Sequence, residues 1–196
     1  ADLAASFHIH PDRTVMVMTG RANRYKGIDF VLRCVAELVR VRKRQQLHFL
    51  FCGDGPDLEV FRQLAKSLNI ADHVSLPGRC ADIASILAAC DFAIHASHGE
   101  VGYSLSILEY MYAGLPVIVP DNASVCGATT VRSDGLIYAE DNLASAVDCI
   151  DYMLVHPEQR TDMGRKGREM VKEEFNLDNT HKQLIQAFHR IFAEAN

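Results

Sequence analysis

The chain has 196 residues, a length that suits one α/β core and is short for two. With 48% hydrophobic residues, 23% charged residues and a net charge of -5, the composition is that of an ordinary globular protein and gives no reason to expect nucleic-acid binding. The six cysteines include no C-x-x-C pair, and neither a signal peptide nor a membrane-spanning run is visible, so we expect reduced thiols and a cytoplasmic location.

Short apolar runs alternate along the chain with longer segments of helical period. This pattern is typical of βαβ units around a parallel sheet. Because no run alternates cleanly between polar and apolar residues, we expect helices on both faces of the sheet and a three-layer α/β/α domain. The six predicted strands are Thr14–Thr19, Leu47–Cys52, His73–Pro77, Asp91–Ala96, Pro116–Pro120 and Gly135–Ala139.

Helices are predicted between these strands and after the last of them. The first covers residues 27–41 and places five apolar side chains on one face: Phe30, Val31, Cys34, Leu38 and Val41. Two helices, at about 158–175 and 179–193, close the chain without a following strand. We therefore expect the carboxyl-terminal helices, within residues 156–196, to pack on the edge of the sheet or on another domain.

The loop after the first strand is rich in cations. Arg21, Arg24 and Lys26 lie between Gly20 and Gly27, and this mixture of guanidinium and ammonium groups suits a diphosphate. On charge alone, a solvated basic loop explains the pattern equally well. Ligands of open parallel sheets bind beyond the carboxyl ends of the strands, and this position favours anion binding.

The segment from Gly102 to Glu109 begins a nearly apolar helix that contains one carboxylate. The backbone N–H groups of Ser104, Leu105 and Ser106 are predicted to face the crevice, where the helix amino terminus forms an anion site. Glu109 is predicted to be buried, which calls for a partner or a ligand. From the residues alone, a bound vicinal diol such as a ribose and an ion pair with Arg21 or Lys26 are both open.

Three segments resemble the carboxyl-terminal, donor-binding domain of retaining GT-B glycosyltransferases of family 4. They are "TGRANRYKGIDFVLRCVAEL", the stretch from "FLFCGDGPDLEVF" through "LPGRCADIASILAACDFAIHAS", and "GYSLSILEYMYAGLPVIVPDN". The resemblance covers nearly the whole chain. It implies a single Rossmann-like domain over residues 1–196, with the amino-terminal acceptor domain absent from this chain.

The resemblance also implies roles for individual residues. Arg21 and Lys26 would act catalytically on the donor diphosphate, with Gly20 beside them in the same loop. The "LPGR" segment, which holds Gly78 and Arg79, would border the nucleobase.

The remaining implied donor-binding residues lie in the helix after the fourth strand. Ser104 and Leu105 would offer amides to phosphate, and Glu109 would be the second glutamate of the family's E-x7-E motif, which holds the ribose hydroxyls. The first glutamate departs from the family pattern, because Val101 stands at its expected position. We expect a one-residue bulge to present Glu100, as a catalytic group that orients the donor sugar.

The implied activity is transfer of a hexose from a nucleoside-diphosphate sugar of UDP or GDP type to an acceptor such as a growing glycan or lipid-linked sugar, without metal or cofactor. Polysaccharide biosynthesis is the expected setting, with peripheral membrane association of the full-length protein at the inner face left open. The isolated chain is expected to bind donor but to turn over little. A non-catalytic nucleotide-sugar-binding module and a GT-B-like epimerase are the alternatives.

Two further features are interpreted without a direct role in the candidate site. The basic run Arg40–Gln46 ends a helix, where cations are favoured, so we expect it to be solvated rather than to touch a membrane. His98, beside the site loop, is expected to be structural rather than catalytic.

Overall fold

A computed structural model describes residues 2–98, 104–122 and 134–194 of the chain. All the strands in it are parallel and form one sheet in the order β3-β2-β1-β4-β5-β6. They are β1 Thr14–Thr19, β2 Leu47–Cys52, β3 Val74–Gly78, β4 Phe92–Ile94, β5 Val117–Pro120 and β6 Gly135–Tyr138. The direction of strand order reverses between β1 and β4, so a crevice opens at the carboxyl ends of these two strands.

Helices cover both faces of the sheet, which confirms the predicted three-layer fold. The α-helices of the described ranges are α1 Leu3–Phe7, α2 Ile28–Ala36, α3 Leu58–Ser67, α4 Ile83–Leu87, α5 Leu105–Ala113, α6 Leu143–Val155, α7 Pro157–Glu174 and α8 Leu177–Glu194. None of these helices is both long enough and apolar enough to cross a bilayer.

Alternate residues of β1 divide the core into two apolar clusters, because successive side chains of a strand point to opposite faces. Met16 and Met18 pack with α2, α3 and α6. Val15 and Val17 pack with α4, α5 and α7. The helix that carries the predicted glutamate, α5, therefore lies on the Val15 face of the sheet.

The predicted helix over residues 27–41 is wrong at its end. The α-helix stops at Ala36, and a π-helical turn covers Glu37–Val41. A π-turn takes one more residue than an α-turn, which rotates the following side chains around the helix axis. Leu38 is still fully buried, but Val41, predicted to face the core, is 64% exposed.

The strand predictions are exact for β1 and β2 and err by one or two residues at the ends of the others. Asp91 precedes β4 rather than starting it, and β3 continues to Gly78. The short helix α1, which has Asp2 as its N-cap, was not predicted. Within the described residues the cysteines are free thiols, as expected.

The last two helices differ in their surroundings. Helix α7 packs against α5, and Gly164 allows this close approach because a Cβ there would lie 2.0 Å from the carbonyl oxygen of Gly114. Helix α8 has an apolar stripe that is exposed, formed by Leu177, Leu184, Ile185, Phe188, Ile191 and Phe192. Of the two helices, α7 packs within this domain, and the expectation that the end of the chain packs on another domain stays a prediction for α8.

Candidate functional site

The loops that follow β1, β2 and β3 form one unit at the carboxyl edge of the sheet. Gly20 donates its backbone N–H to the carbonyl of Cys52 (3.3 Å), and Gly53 donates to the carbonyl of Gly78 (2.9 Å). Ala22 donates to the carbonyl of Asp54 at 3.0 Å. These bonds hold the candidate anion loop against its neighbours without using any of its cationic side chains.

Glycines permit this tight packing of backbone on backbone. A Cβ on Gly53 would lie 1.7 Å from the carbonyl oxygen of Gly20, and one on Gly27 would lie 2.2 Å from the carbonyl oxygen of Ala96. Both glycines are therefore required for close approach.

The cations of the loop after β1 lie at the mouth of the crevice. Arg21 is exposed and Lys26 is half-buried. A Cβ on Gly20 would stand 3.8 Å from Lys26 Cε, so the lysine side chain folds back over the end of β1. Gly20 itself has a φ of 149°, a conformation that side chains rarely adopt.

The "LPGR" segment lies beside this loop. Gly78 ends β3 with a φ of 91°, and Arg79, which follows it, is exposed. Strand β3 is the outermost strand and lies next to β2, so Arg79 lies two strands away from β1. Arg79, like the loop after β1, follows the carboxyl end of its strand.

Helix α5 begins at Leu105, close to the predicted start. Ser104 occupies the N-cap position and is buried, but its side chain makes no capping hydrogen bond. The first N–H groups of a helix have no partner within it, so the amino terminus of α5 offers free donors to a ligand. Leu105, the first helical residue, is 73% exposed.

Glu109 corrects the sequence analysis. Its side chain is exposed, not buried, and within the described residues no ion pair joins it to Arg21. Tyr112, on the same side of α5 as Glu109, is also 58% exposed. The neighbouring helices therefore leave this side of α5 uncovered, although it carries apolar residues. The carboxylate therefore needs no structural partner, and the ion-pair interpretation loses its physical basis.

Glu109 lies on the wall of a groove between α4, α5 and α7. The groove has a volume of about 560 Å³ and is mostly apolar, with Ile83, Leu87, Leu108 and Val171 among its lining residues. Arg168 is the cation on its wall. An exposed carboxylate at the rim of an apolar groove can accept hydrogen bonds from a bound hydroxyl pair.

Two buried polar atoms at this edge have no hydrogen-bond partner within the described ranges. They are Asn23 Oδ1, in the loop after β1, and Ser97 Oγ, just beyond β4. Ser97 is only 1% exposed. Buried polar atoms are nearly always paired, so such orphans at the mouth of a crevice are typical of groups that await a ligand or water.

Glu100 lies outside the described residues, so the proposed bulge stays a prediction. His98 stands between two carboxylates, with Nδ1 3.6 Å from Glu140 and Nε2 3.7 Å from Asp141. Its backbone N–H donates to the carbonyl of Tyr25 at 3.0 Å. These contacts fit the structural role expected for this histidine.

Tyr110, which follows Glu109 in α5, was not predicted to have a role at this end of the sheet. Its side chain is fully buried and its hydroxyl lies 2.6 Å from the backbone nitrogen of Thr19, the last residue of β1. The signal was available in principle, since a tyrosine on the buried face of an apolar helix must find a partner for its hydroxyl. The identity of that partner could not be read from the sequence, because it lies 91 residues away along the chain.

Metal ligation has no candidate among the residues that the structure describes, where no group of three or more His, Cys, Asp or Glu side chains could hold an ion. The polar groups near the crevice include the exposed guanidinium groups of Arg21 and Arg79 and the N–H donors of the α5 amino terminus.

Curated proteins similar to this chain are glycosyl-transferring or related enzymes by name. N-acetyl-alpha-D-glucosaminyl L-malate synthase of Bacillus anthracis is 23% identical over 192 residues, which cover 98% of this chain and 49% of that protein. A GDP-mannose-dependent alpha-(1-6)-phosphatidylinositol monomannoside mannosyltransferase of Mycobacterium tuberculosis is 26% identical over 182 residues, 88% of this chain and 46% of that protein. The chain thus spans about half the length of these curated relatives.

A solved structure shares the fold. Alr3699/HepE of Anabaena, in complex with UDP, superposes with a TM-score of 0.82 at 17% identity, covering 91% of this chain and 49% of that one. The family model described as "Glycosyl transferases group 1" matches residues 2–170. Since this match takes in most of the 196 residues, the chain belongs to the group 1 glycosyl transferases.

Proposed function

We propose that this chain is the donor-binding half of a retaining glycosyltransferase, which transfers a hexose from a nucleoside-diphosphate sugar to a glycan or lipid-linked acceptor. The observation that supports the proposal is that two elements suited to anions, a cationic loop and a helix amino terminus, lie at one crevice. The Gly20–Lys26 loop leaves the end of β1, and the amino terminus of α5 lies at the same edge. The hydrogen bond from Thr19 to Tyr110 ties these elements together, five residues after the start of α5.

The two elements are linked through Tyr110. Five residues of α-helix rise about 7.5 Å, so the free N–H groups of α5 lie about that far along the helix axis from the residue that contacts the end of β1. Arg21, Lys26 and these N–H groups would neutralise the charge that develops on the leaving diphosphate as the glycosidic bond breaks. Their placement before the ligand arrives avoids a reorganisation cost during the reaction.

Glu109 would hold the nucleoside. Its carboxylate is exposed at the groove rim, where it can accept hydrogen bonds from both ribose hydroxyls without having to break an existing ion pair. Glu100 would orient the sugar, and Gly78 and Arg79 would border the base. The Mycobacterium tuberculosis relative is named GDP-mannose-dependent, and the Alr3699/HepE structure is a complex with UDP, so UDP and GDP are the first nucleotides to test.

The exposed stripe of α8 supports the expectation of a second half. Phe188 and Phe192 are 50% and 65% exposed and stack on each other with ring centroids 6.5 Å apart. Exposed apolar side chains at helical spacing mark a contact surface. We place the contact with an acceptor-binding domain on this stripe, which leaves the crevice free for the donor.

Calorimetric titration of the 196-residue chain with UDP, GDP and ADP tests the proposal. We expect one of the nucleotides to bind, and Glu109→Ala to weaken it at least about tenfold, as the loss of a charged hydrogen-bond acceptor predicts. Glu59→Ala, which removes an exposed carboxylate from α3, is the matched control and should leave the affinity unchanged. Binding that is equal in wild type and Glu109→Ala would remove the ribose role from this carboxylate.

A further inference from the structure

Tyr110 and Thr19 form a clasp between α5 and the end of β1. The Tyr110 oxygen accepts a hydrogen bond from the backbone N–H of Thr19 (2.6 Å) and lies 2.9 Å from Thr19 Oγ1. Burial raises the pKa of Tyr110 to about 12, so the phenol keeps its proton at neutral pH and can donate it to Thr19 Oγ1. The hydroxyl is thus satisfied by a single residue, both as acceptor and as donor.

The backbone of Thr19 requires such a partner because β1 and β4 separate early. Their pairing covers Met16 with Phe92 and Val17 with Ala93 and goes no further. The N–H of Gly20 points to β2, where it bonds Cys52, so the N–H of the preceding residue points to the opposite side. Tyr110 supplies there the acceptor that a longer β4 would have supplied.

The register of β1 brings the side chains together. Val15 and Val17 face α5, and a period of two places Thr19 on that same face. Tyr110 shares the buried side of α5 with Ile107 and Met111, all of them without exposed area. A ring packed on every side has little freedom, so it fixes the separation between its helix and the strand end.

The clasp stands between the two elements that would bind the diphosphate. Thr19 is followed directly by Gly20 and the cationic loop, and Tyr110 lies little more than one helical turn from the free N–H groups of α5. We propose that Tyr110 is a positioning residue, whose hydroxyl sets the distance between the Gly20–Lys26 loop and the α5 amino terminus. This inference rests on the proposed function, because the distance matters only for a ligand that spans both elements.

Hydrogen exchange tests the clasp without any ligand. Tyr110→Phe keeps the ring and removes the hydroxyl, which leaves the Thr19 N–H without its acceptor. We expect the amides of residues 19–26 to exchange about tenfold faster or more, as the loss of one hydrogen bond predicts, while the amides of β2 keep their rates. Tyr138→Phe is the matched control, because it removes another buried hydroxyl whose contact, with the His95 carbonyl at 3.4 Å, is weak.

Nucleotide binding supplies a readout that a merely structural role would not move. We expect Tyr110→Phe to weaken UDP about tenfold and uridine less than about twofold, because only the diphosphate spans the two elements. Tyr138→Phe should change neither the affinity for UDP nor the affinity for uridine. If GDP is the nucleotide that binds, GDP and guanosine replace this pair.

The outcomes separate the inference from the proposed function. Faster exchange confined to residues 19–26, with a selective loss of diphosphate affinity, supports both. Faster exchange in Tyr110→Phe, together with a wild type that binds no nucleotide, keeps the hydrogen-bonded clasp but removes the donor site and with it the positioning role. Unchanged exchange, or equal losses for nucleotide and nucleoside, overturns the positioning role. If Tyr110→Phe does not fold, Thr19→Val removes only the Oγ1 contact and is expected to produce the same selectivity at smaller magnitude.

Discussion

The two edges of the sheet use their charged side chains in different ways. At the amino edge, arginines are paired within the protein: Arg160 lies 3.0 Å from Asp91, and Arg44 lies 2.5 Å from Asp151. At the carboxyl edge, Arg21 and Arg79 are exposed, as is Glu109 further along α5, and no ion pair of theirs occurs in the described ranges. Charges that are satisfied internally stabilise the fold, whereas charges left exposed beside a crevice are available to a ligand.

The amino edge also explains the basic run of residues 40–46. Arg42 and Arg44 reach across to α6, where they pair with Asp148 and Asp151. The hydrogen bond from Arg44 holds the pKa of Asp151 below its ordinary value. The run was expected to be solvated, but two of its arginines join a helix to the sheet instead.

The largest expected effect is on stability at the amino edge. Asp91 accepts hydrogen bonds from the Val15 backbone at 2.7 Å and from Arg160 at 3.0 Å. Asp91→Ala leaves a largely buried guanidinium without its counter-charge and should cost about 3 to 4 kcal/mol in the free energy of unfolding, measured by urea titration. Asp91→Asn, which keeps an acceptor, should cost less. A loss no greater than that of an exposed surface substitution would contradict the comparison.

A pH effect of similar size is expected from the same edge. His48 is 4% exposed, and burial, with a smaller contribution from Arg13, lowers its pKa to about 4 from 6.5. The folded state therefore holds His48 neutral while the unfolded chain takes up a proton below pH 6.5. Stability should be complete above that pH and fall by about 2 to 3 kcal/mol as the pH drops towards 4.

His48→Gln removes the titrating group and should flatten this part of the stability curve. The test is to measure the free energy of unfolding of wild type and His48→Gln at pH 7 and at pH 4.5. A slope that is the same in the variant and in the wild type would assign the acid sensitivity to other groups.

The opposite effect is expected at the carboxyl edge. Arg21→Ala removes an exposed side chain, so the unfolding free energy should change by about 0.5 kcal/mol or less. Affinity for the bound nucleoside diphosphate should fall about tenfold or more, because a guanidinium contact to phosphate is lost. Calorimetry and urea unfolding on the same sample check the two halves of this prediction. An affinity loss that tracks unfolding would refute the electrostatic role.

The smallest effect is expected where an ion pair is partly exposed. Arg44→Ala breaks the ion pair with Asp151. The side chain of Arg44 is 35% exposed and that of Asp151 is 18% exposed. Solvent screening limits the loss to about 1 kcal/mol, and nucleotide affinity should not change. Raising the salt concentration should shrink the difference between variant and wild type, as measured by thermal unfolding.

The sequence predicted the parts of the fold that depend on local patterns. The runs of β1 and β2 are predominantly apolar and each is followed by a glycine, and their ends were placed correctly. The start of α5 followed from the glycine and serine before it. The exposure of Val41 depended on a π-turn, and that of Glu109 on how far α4 and α7 reach around α5, neither of which is encoded in periodicity.

Long-range partners were likewise beyond local patterns. Tyr110 meets Thr19, and Arg160 meets Asp91, only because the sheet order brings distant segments together. The resemblance to a known family pointed to the carboxyl ends of the strands, and the structure places Arg21, Lys26, Arg79 and Ser104 there. Glu109 lies further along α5, on the wall of the groove between α4, α5 and α7. Their roles toward a donor stay predictions for experiment.

Urea unfolding with and without the preferred nucleoside diphosphate tests the central claim most directly. At a ligand concentration of 100 times Kd, wild type should gain about 2.7 kcal/mol. Asp91→Asn should gain the same amount from a lower starting stability, because its site is intact. Arg21→Ala should start at wild-type stability and, at that same concentration, gain clearly less. A wild type that gains nothing, or an Arg21→Ala variant that gains as much as wild type, would contradict the division of labour between the two edges.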